Sequence, residues 1–154
     1  MKKSTILWLI LSLFVTAGLQ AAVIDESLQN ELDNLSNGEN IQALVTFEYQ
    51  ADIASLDKQL KLERATLADR NRRVILALQE AATETQPAVV SFLENLKSQG
   101  LVKNYRMFWI ANIFQVEATR AGIEAIAARQ DLGISFVLPA RLIRDMKAAC
   151  TPAQ

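Results

Sequence analysis

Few side chains in this sequence are suited to catalysis. There is no histidine among its 154 residues. That removes the general base of Ser-His-Asp and Cys-His machinery and the commonest metal ligand. Cys150 is the only cysteine, so no internal disulfide can close. It reads as a tail thiol, with pairing to another chain as the alternative. Carboxylates remain and could work as acid and base in pairs, but none stands apart from ordinary surface charge. No enzyme activity, metal or cofactor is expected.

The other chemically suggestive run is Arg70-Asn-Arg-Arg, with Lys58, Lys61 and Arg64 on the same stretch. Glu63, Asp69 and Glu80 are interleaved with it, which describes a solvated helix face better than a phosphate-binding one. Removing Lys2 and Lys3 with the N-terminal segment leaves 14 basic against 17 acidic residues. A mildly acidic protein of this kind gives no reason to expect nucleic acid or an anionic membrane surface as partner.

That N-terminal segment has its own logic. Lys2 and Lys3 precede the apolar run ILWLILSLFV, and small residues follow at Ala17, Gly18, Ala21 and Ala22. The pattern is that of a secretory signal peptide over residues 1–21, with cleavage after Ala21 or one residue later. A secreted or periplasmic protein is expected, with no membrane attachment after cleavage.

The elements that must position any site follow from periodicity. Residues 22–41 are polar and acidic, with Leu28, Leu32 and Leu35 at helical spacing, and suit either a short helix or a mobile leader. Asn37-Gly38 marks a turn. QALVTFEY, 42–49, reads as a strand with Ala43, Val45 and Phe47 on one face and Leu44, Thr46 and Glu48 on the other. Asp52 caps a helix whose stripe runs Ile53, Leu56, Leu60, Leu67, Val74, Leu78. Pro87 predicts a break or kink, and Gly100 a C-terminal stop. VKNYRMFW (102–109) and IFQVEAT (113–119) form a hairpin across Ile110-Ala111-Asn112, Asn112 being tolerant of positive φ. In the second of these strands Phe114, Val116 and Ala118 share one face, and Ile113, Gln115 and Glu117 the other. Phe108 and Trp109 are expected to divide between the core and the hairpin end. Thr119 caps a second helix bearing Ile123 and Ile126, Gly133 turns the chain, and ISFVL (134–138) ends at Pro139.

Strand, long broken helix, strand, strand, helix, strand is the order of a split βαβ unit. The expected fold class is α+β. It is a ferredoxin-like βαββαβ arrangement, a four-stranded antiparallel sheet with both helices on one face. The domain is placed at 42–139, with a leader at 22–41 and a polar tail at 140–154. The uncovered sheet face, with Ile113 beside Gln115 and Glu117, suits docking onto another protein.

The sequence ALVTFEYQAD, then RVILALQEAA and AVVSFLENLKSQG, then YRMFWIANIFQVEAT, RAGIEAIAAR and ISFVLPARLI, resembles the propeptide inhibitor domain of subtilisin-type serine proteases. It is most similar to the longer prodomains of bacillopeptidase F-like subtilases. The resemblance runs from Val45 to Arg141 and rests on the order and spacing of all these segments. It implies a ferredoxin-like domain that packs its open sheet face on two surface helices of a subtilisin-like protease. A C-terminal segment would lie along the substrate cleft like a product. The implied roles are intramolecular chaperone and tight inhibitor. The docking face would include Ile113, Gln115 and Glu117, and the cleft-blocking tail Arg141, Leu142, Ile143 and Arg144. Two departures stand out. Pro139-Ala140-Arg141 occupies the place where some relatives carry acidic residues. The chain ends at Gln154 with no catalytic domain following, which implies action in trans or a precursor cut short. The runner-up expectation is a ferredoxin-like binding module of the cell envelope with a non-protease partner.

Overall fold

The computed structural model describes residues 22–141. The signal-type segment, Leu142, Ile143, Arg144 and Cys150 lie outside the described residues. The chain runs β1 (Val23–Ile24), α1 (Glu26–Asp33), β2 (Asn40–Phe47), α2 (Ile53–Leu62), α3 (Leu67–Ser98), β3 (Val102–Phe108), β4 (Ile113–Thr119), α4 (Arg120–Ala127), a 3₁₀ turn (Gln130–Leu132) and β5 (Ile134–Pro139).

Alternation in the strands is what makes a layer. In β2, Ala43, Val45 and Phe47 are buried; in β4, Phe114, Val116 and Ala118 are. Registers of Ala43 with Val116 and Val45 with Phe114 stack these side chains into one apolar face. Phe47 and Phe114 meet with ring centroids 5.7 Å apart. Onto that face α3 brings Val89, Leu93 and Leu96, and α4 brings Ile123 and Ile126. Each such side chain fully buried is worth about 1.5–3 kcal/mol relative to exposure. The close approach of α4 needs Gly122, where a Cβ would lie 2.4 Å from the Leu101 carbonyl oxygen.

The fold is α+β, but the sheet is five-stranded and mixed, in the order β1-β5-β2-β4-β3. The expected four-stranded, wholly antiparallel sheet is thereby corrected. The extra strand comes from the segment read as a leader. Val23 and Ile24 pair in parallel with Phe136 and Val137, and the Asp25 N–H donates to the Val137 carbonyl at 2.9 Å. Without this rung β5 would present an open edge. Asp25 then caps α1, accepting from the Ser27 N–H at 2.9 Å. Leu28 and Leu32 enter the common core with zero exposure. Residues 22–41 are thus built into the same layer as the rest, and β2 begins at Asn40, ahead of the expected boundary at 42.

The long helix breaks, though not at Pro87. Helix α3 runs continuously from Leu67 to Ser98 with Pro87 inside it. Pro87 sits on the exposed side, where the carbonyl it leaves unpaired faces water. The break falls at Arg64, which takes φ 53. The Ala65 N–H bonds to the Leu60 carbonyl at 3.0 Å and the Arg64 N–H to the Lys61 carbonyl at 3.1 Å. This is a Schellman closure with arginine where glycine is usual. Thr66 then caps α3 through the Asp69 N–H. The resulting α2–α3 hairpin has its own small seam around Leu60.

Candidate functional site

The buried helix residues Leu28, Leu32, Val89, Leu93, Leu96, Ile123 and Ile126 join one core cluster with the inward strand residues, so α1, α3 and α4 lie on one side of the sheet. The opposite face carries no helix among the described residues. Its composition is fixed by register. Val23 stands opposite Phe136, Phe136 opposite Thr46, Thr46 opposite Ile113, and Ile113 opposite Phe108. One row of side chains therefore crosses all five strands, and only Thr46 in it is polar. Val23 is 57% exposed and Phe136 49%, although both lie in strands. The next row is Leu138, Leu44, Gln115 and Arg106. The third holds Gln42, Glu117 and Asn104.

The face is thus graded from apolar at the end nearest the β3–β4 turn to polar at the other. On the polar end Gln115 donates to Gln42 at 3.2 Å, and the Lys103 ammonium meets Glu117 at 2.6 Å. A shallow depression lies between Gln42, Asn104, Arg106, Gln115 and Glu117. Over the apolar end, the Arg106 guanidinium lies 5.1 Å from the Phe108 ring centroid, within cation–π range. Such a surface has area, graded polarity and no deep pocket. It fits a protein partner rather than a small molecule.

The site residues expected from sequence fall as follows. Ile113, Gln115 and Glu117 alternate with the buried Phe114, Val116 and Ala118 and all lie on the helix-free face. Arg141 lies next to α1, its guanidinium 2.5 Å from the Glu31 carboxylate. Phe108 is not a core residue. Alternation sends Met107 inward against Phe114 and Phe108 to the helix-free side beside Ile113. Trp109 is at the hairpin end, 40% exposed. Half of the six basic residues on the helix face are paired: Asp57 holds both Lys61 (2.6 Å) and Arg70 (2.5 Å), and Glu63 holds Arg73.

Sequence reasoning missed Phe136, Leu138 and Val23. The register shifts between Thr46 and Phe47, so Ser135 sits at a bulge and bonds to Thr46. Ile134 and Val137, three apart, are consequently both buried, which simple alternation in ISFVLP does not give. No local signal marked Phe136: strict alternation puts Ile134, Phe136 and Leu138 on one face, whereas Ile134 is buried and Phe136 exposed.

No family model matches this chain, and no curated protein or solved structure matches it.

Proposed function

We propose that this protein is a non-enzymatic inhibitor and folding helper of a subtilisin-like serine protease, acting outside the cytoplasm. It lands on the protease by its helix-free sheet face, and the segment beyond the last strand enters the substrate cleft. The strands β5-β2-β4-β3 are read as a ferredoxin-like split βαβ sheet with β1 added at its edge. The resemblance of the sequence to subtilase propeptides supports this role. The observation that carries it is the apolar row of exposed Val23 and Phe136 with half-buried Ile113 and Phe108, on a face the chain's own helices leave bare. A hydrated sheet face with no partner would not need two aromatics there.

Size supports a two-part contact. Five strands spaced about 4.8 Å apart and roughly six residues long offer about 400 Å². A stable interface needs about 800 Å² from each side. A strand-like tail lying in a cleft supplies the difference and adds main-chain hydrogen bonds. Tethering to the docked sheet raises the tail's effective concentration at the cleft.

The test is a progress-curve assay of a subtilisin-type protease with the full chain added. Slow, tight inhibition is expected. Phe136→Asp should weaken it about tenfold or more, since a charge would be desolvated at the contact. Deleting residues 142–154 should also weaken it. Absence of inhibition against a panel of subtilases, or capture of a non-protease partner on the same face, would overturn the assignment.

A further inference from the structure

We propose that the depression at Arg106 is a subsite for one carboxylate side chain, an aspartate or glutamate on the surface of the protease. The inference rests on the docking role proposed above and names what the polar end of the sheet face must meet.

The chemistry follows from which hydrogen-bonding groups are already used. Register places Arg106 opposite Gln115, and both Asn104 and Gln42 opposite Glu117. Together with Tyr105 these residues ring a depression of about 140 Å³. The Gln42 side-chain oxygen accepts from Gln115 at 3.2 Å, which leaves the Gln42 amide as a donor. The Asn104 side-chain oxygen accepts from the Tyr105 N–H at 2.9 Å, which leaves the Asn104 amide as a donor. The Glu117 carboxylate, the one anion in the ring, is paired with the Lys103 ammonium at 2.6 Å. Arg106 has no acidic partner among the described residues, so its planar fork of N–H donors is open.

Two amide donors thus flank one uncompensated guanidinium. That is the complement of a carboxylate, which only accepts hydrogen bonds and takes arginine through two of them. A partner surface with no anion there would strip water from the guanidinium and leave its charge unmatched. The guanidinium is also held in place. It lies over the Phe108 ring, 5.1 Å from its centroid, and a stacked side chain has less freedom left to lose on binding. Its position favours the same reading. Arg106 stands in the middle row, between the apolar row ending at Phe108 and the polar row holding Glu117. Once the apolar row is covered, an ion pair beside it is screened less than one on open surface.

Two measurements on the full chain test this, and the first needs no subtilase. N-acetyl-aspartate amide is titrated into the isotope-labelled protein, with N-acetyl-asparagine amide as the neutral control. NMR follows the arginine Nε–H and the glutamine and asparagine side-chain amide signals. Saturable shifts in the millimolar range are expected at Arg106, Gln42 and Asn104 with the aspartate probe alone. Arg64 and Arg72 serve as references, being exposed and outside any ion pair among the described residues. Shifts at Arg106 no larger than theirs would overturn the proposal. The second measurement is the inhibition constant against a subtilisin-type protease. Arg106→Glu should weaken inhibition about tenfold or more. Arg106→Lys, which keeps the charge but not the fork, should weaken it about threefold. Inhibition unchanged by Arg106→Glu would equally overturn the proposal. If the wild-type chain inhibits no subtilase, the docking role falls and the titration alone decides whether the carboxylate subsite exists.

Discussion

At the turn between β3 and β4, Asn112 combines a φ of 42 with only 2% exposure. Its side-chain amide donates to the Tyr49 carbonyl at 2.9 Å and to the Thr85 hydroxyl at 3.0 Å. Its side-chain oxygen accepts from Gln86 at 3.1 Å. Thr85 in turn donates to the Ala81 carbonyl at 3.0 Å. Glycine would supply the backbone angle but none of these bonds, and aspartate could not donate to Tyr49. Buried polar groups left without partners cost about 1–3 kcal/mol each. Asn112→Ala should therefore lower the unfolding free energy in urea by about 2 kcal/mol or more, and Asn112→Gly should recover only the backbone part, about 1 kcal/mol. The tolerance of Asn112 for positive φ was legible in the sequence. Its partners were not, because Thr85 and Tyr49 are 27 and 63 residues away, and nothing local to Asn112 selects them.

Among the elements, two of the four helix N-caps were legible, Asp25 and Thr66 were not, and stops were read less well. Asp52 and Thr119 cap their helices as expected, accepting from the Ser55 and Gly122 N–H groups at 2.9 and 3.2 Å. Gly100 ends α3 with φ 72. These signals are local and chemical, so a sequence displays them. The stop at Arg64 shows no glycine, and the apolar stripe runs straight through it. The αL backbone costs a non-glycine residue about 1 kcal/mol. Arg64→Gly should thus stabilise the protein by up to about 1 kcal/mol, read as a raised urea midpoint at unchanged slope. An unchanged or lowered midpoint would mean that the arginine side chain contributes as much as its backbone strain costs. Pro87 gives the opposite lesson. A strong breaker stayed inside a helix because it lies on the wet side, while the adjacent Gln86 is bonded to Asn112.

For the molecule as a whole, the carboxylates set the response to pH. Asp25 and Asp52 are held below the ordinary 3.8 chiefly by the Ser27 and Ser55 hydroxyls. Asp57 and Asp131 are lowered chiefly by Lys61 and Arg129, and Glu63, below its ordinary 4.5, by Arg73. A depressed folded-state pKa gives stability that is present above the unfolded value and lost as pH falls through the folded one. The Tyr105 phenol, donating to Glu94 at 2.6 Å, is raised above 10.0, and its contribution is lost only as pH rises past that. With no histidine in the chain, the thermal midpoint should stay flat from about pH 6 to 8 and decline below about pH 4.5. A step between pH 5 and 7 in a melting series would contradict this.

By itself the sequence determined the α+β class, the strand faces of β2 and β4, the helix caps at Asp52 and Thr119 and the absence of histidine chemistry. These follow from composition, from periods of 2 and 3.6, and from groups a few residues apart. Only the tertiary structure decided that Val23–Ile24 completes the sheet and that α1 joins the core. It also decided that Phe136 and Phe108 face away from the helices, and that Arg141 meets Glu31. Each of these depends on which strand lies beside which, and in what register. A single bulge between Thr46 and Phe47 buries Ile134 while Phe136, two residues on, faces out, and no local pattern in ISFVLP carries that information.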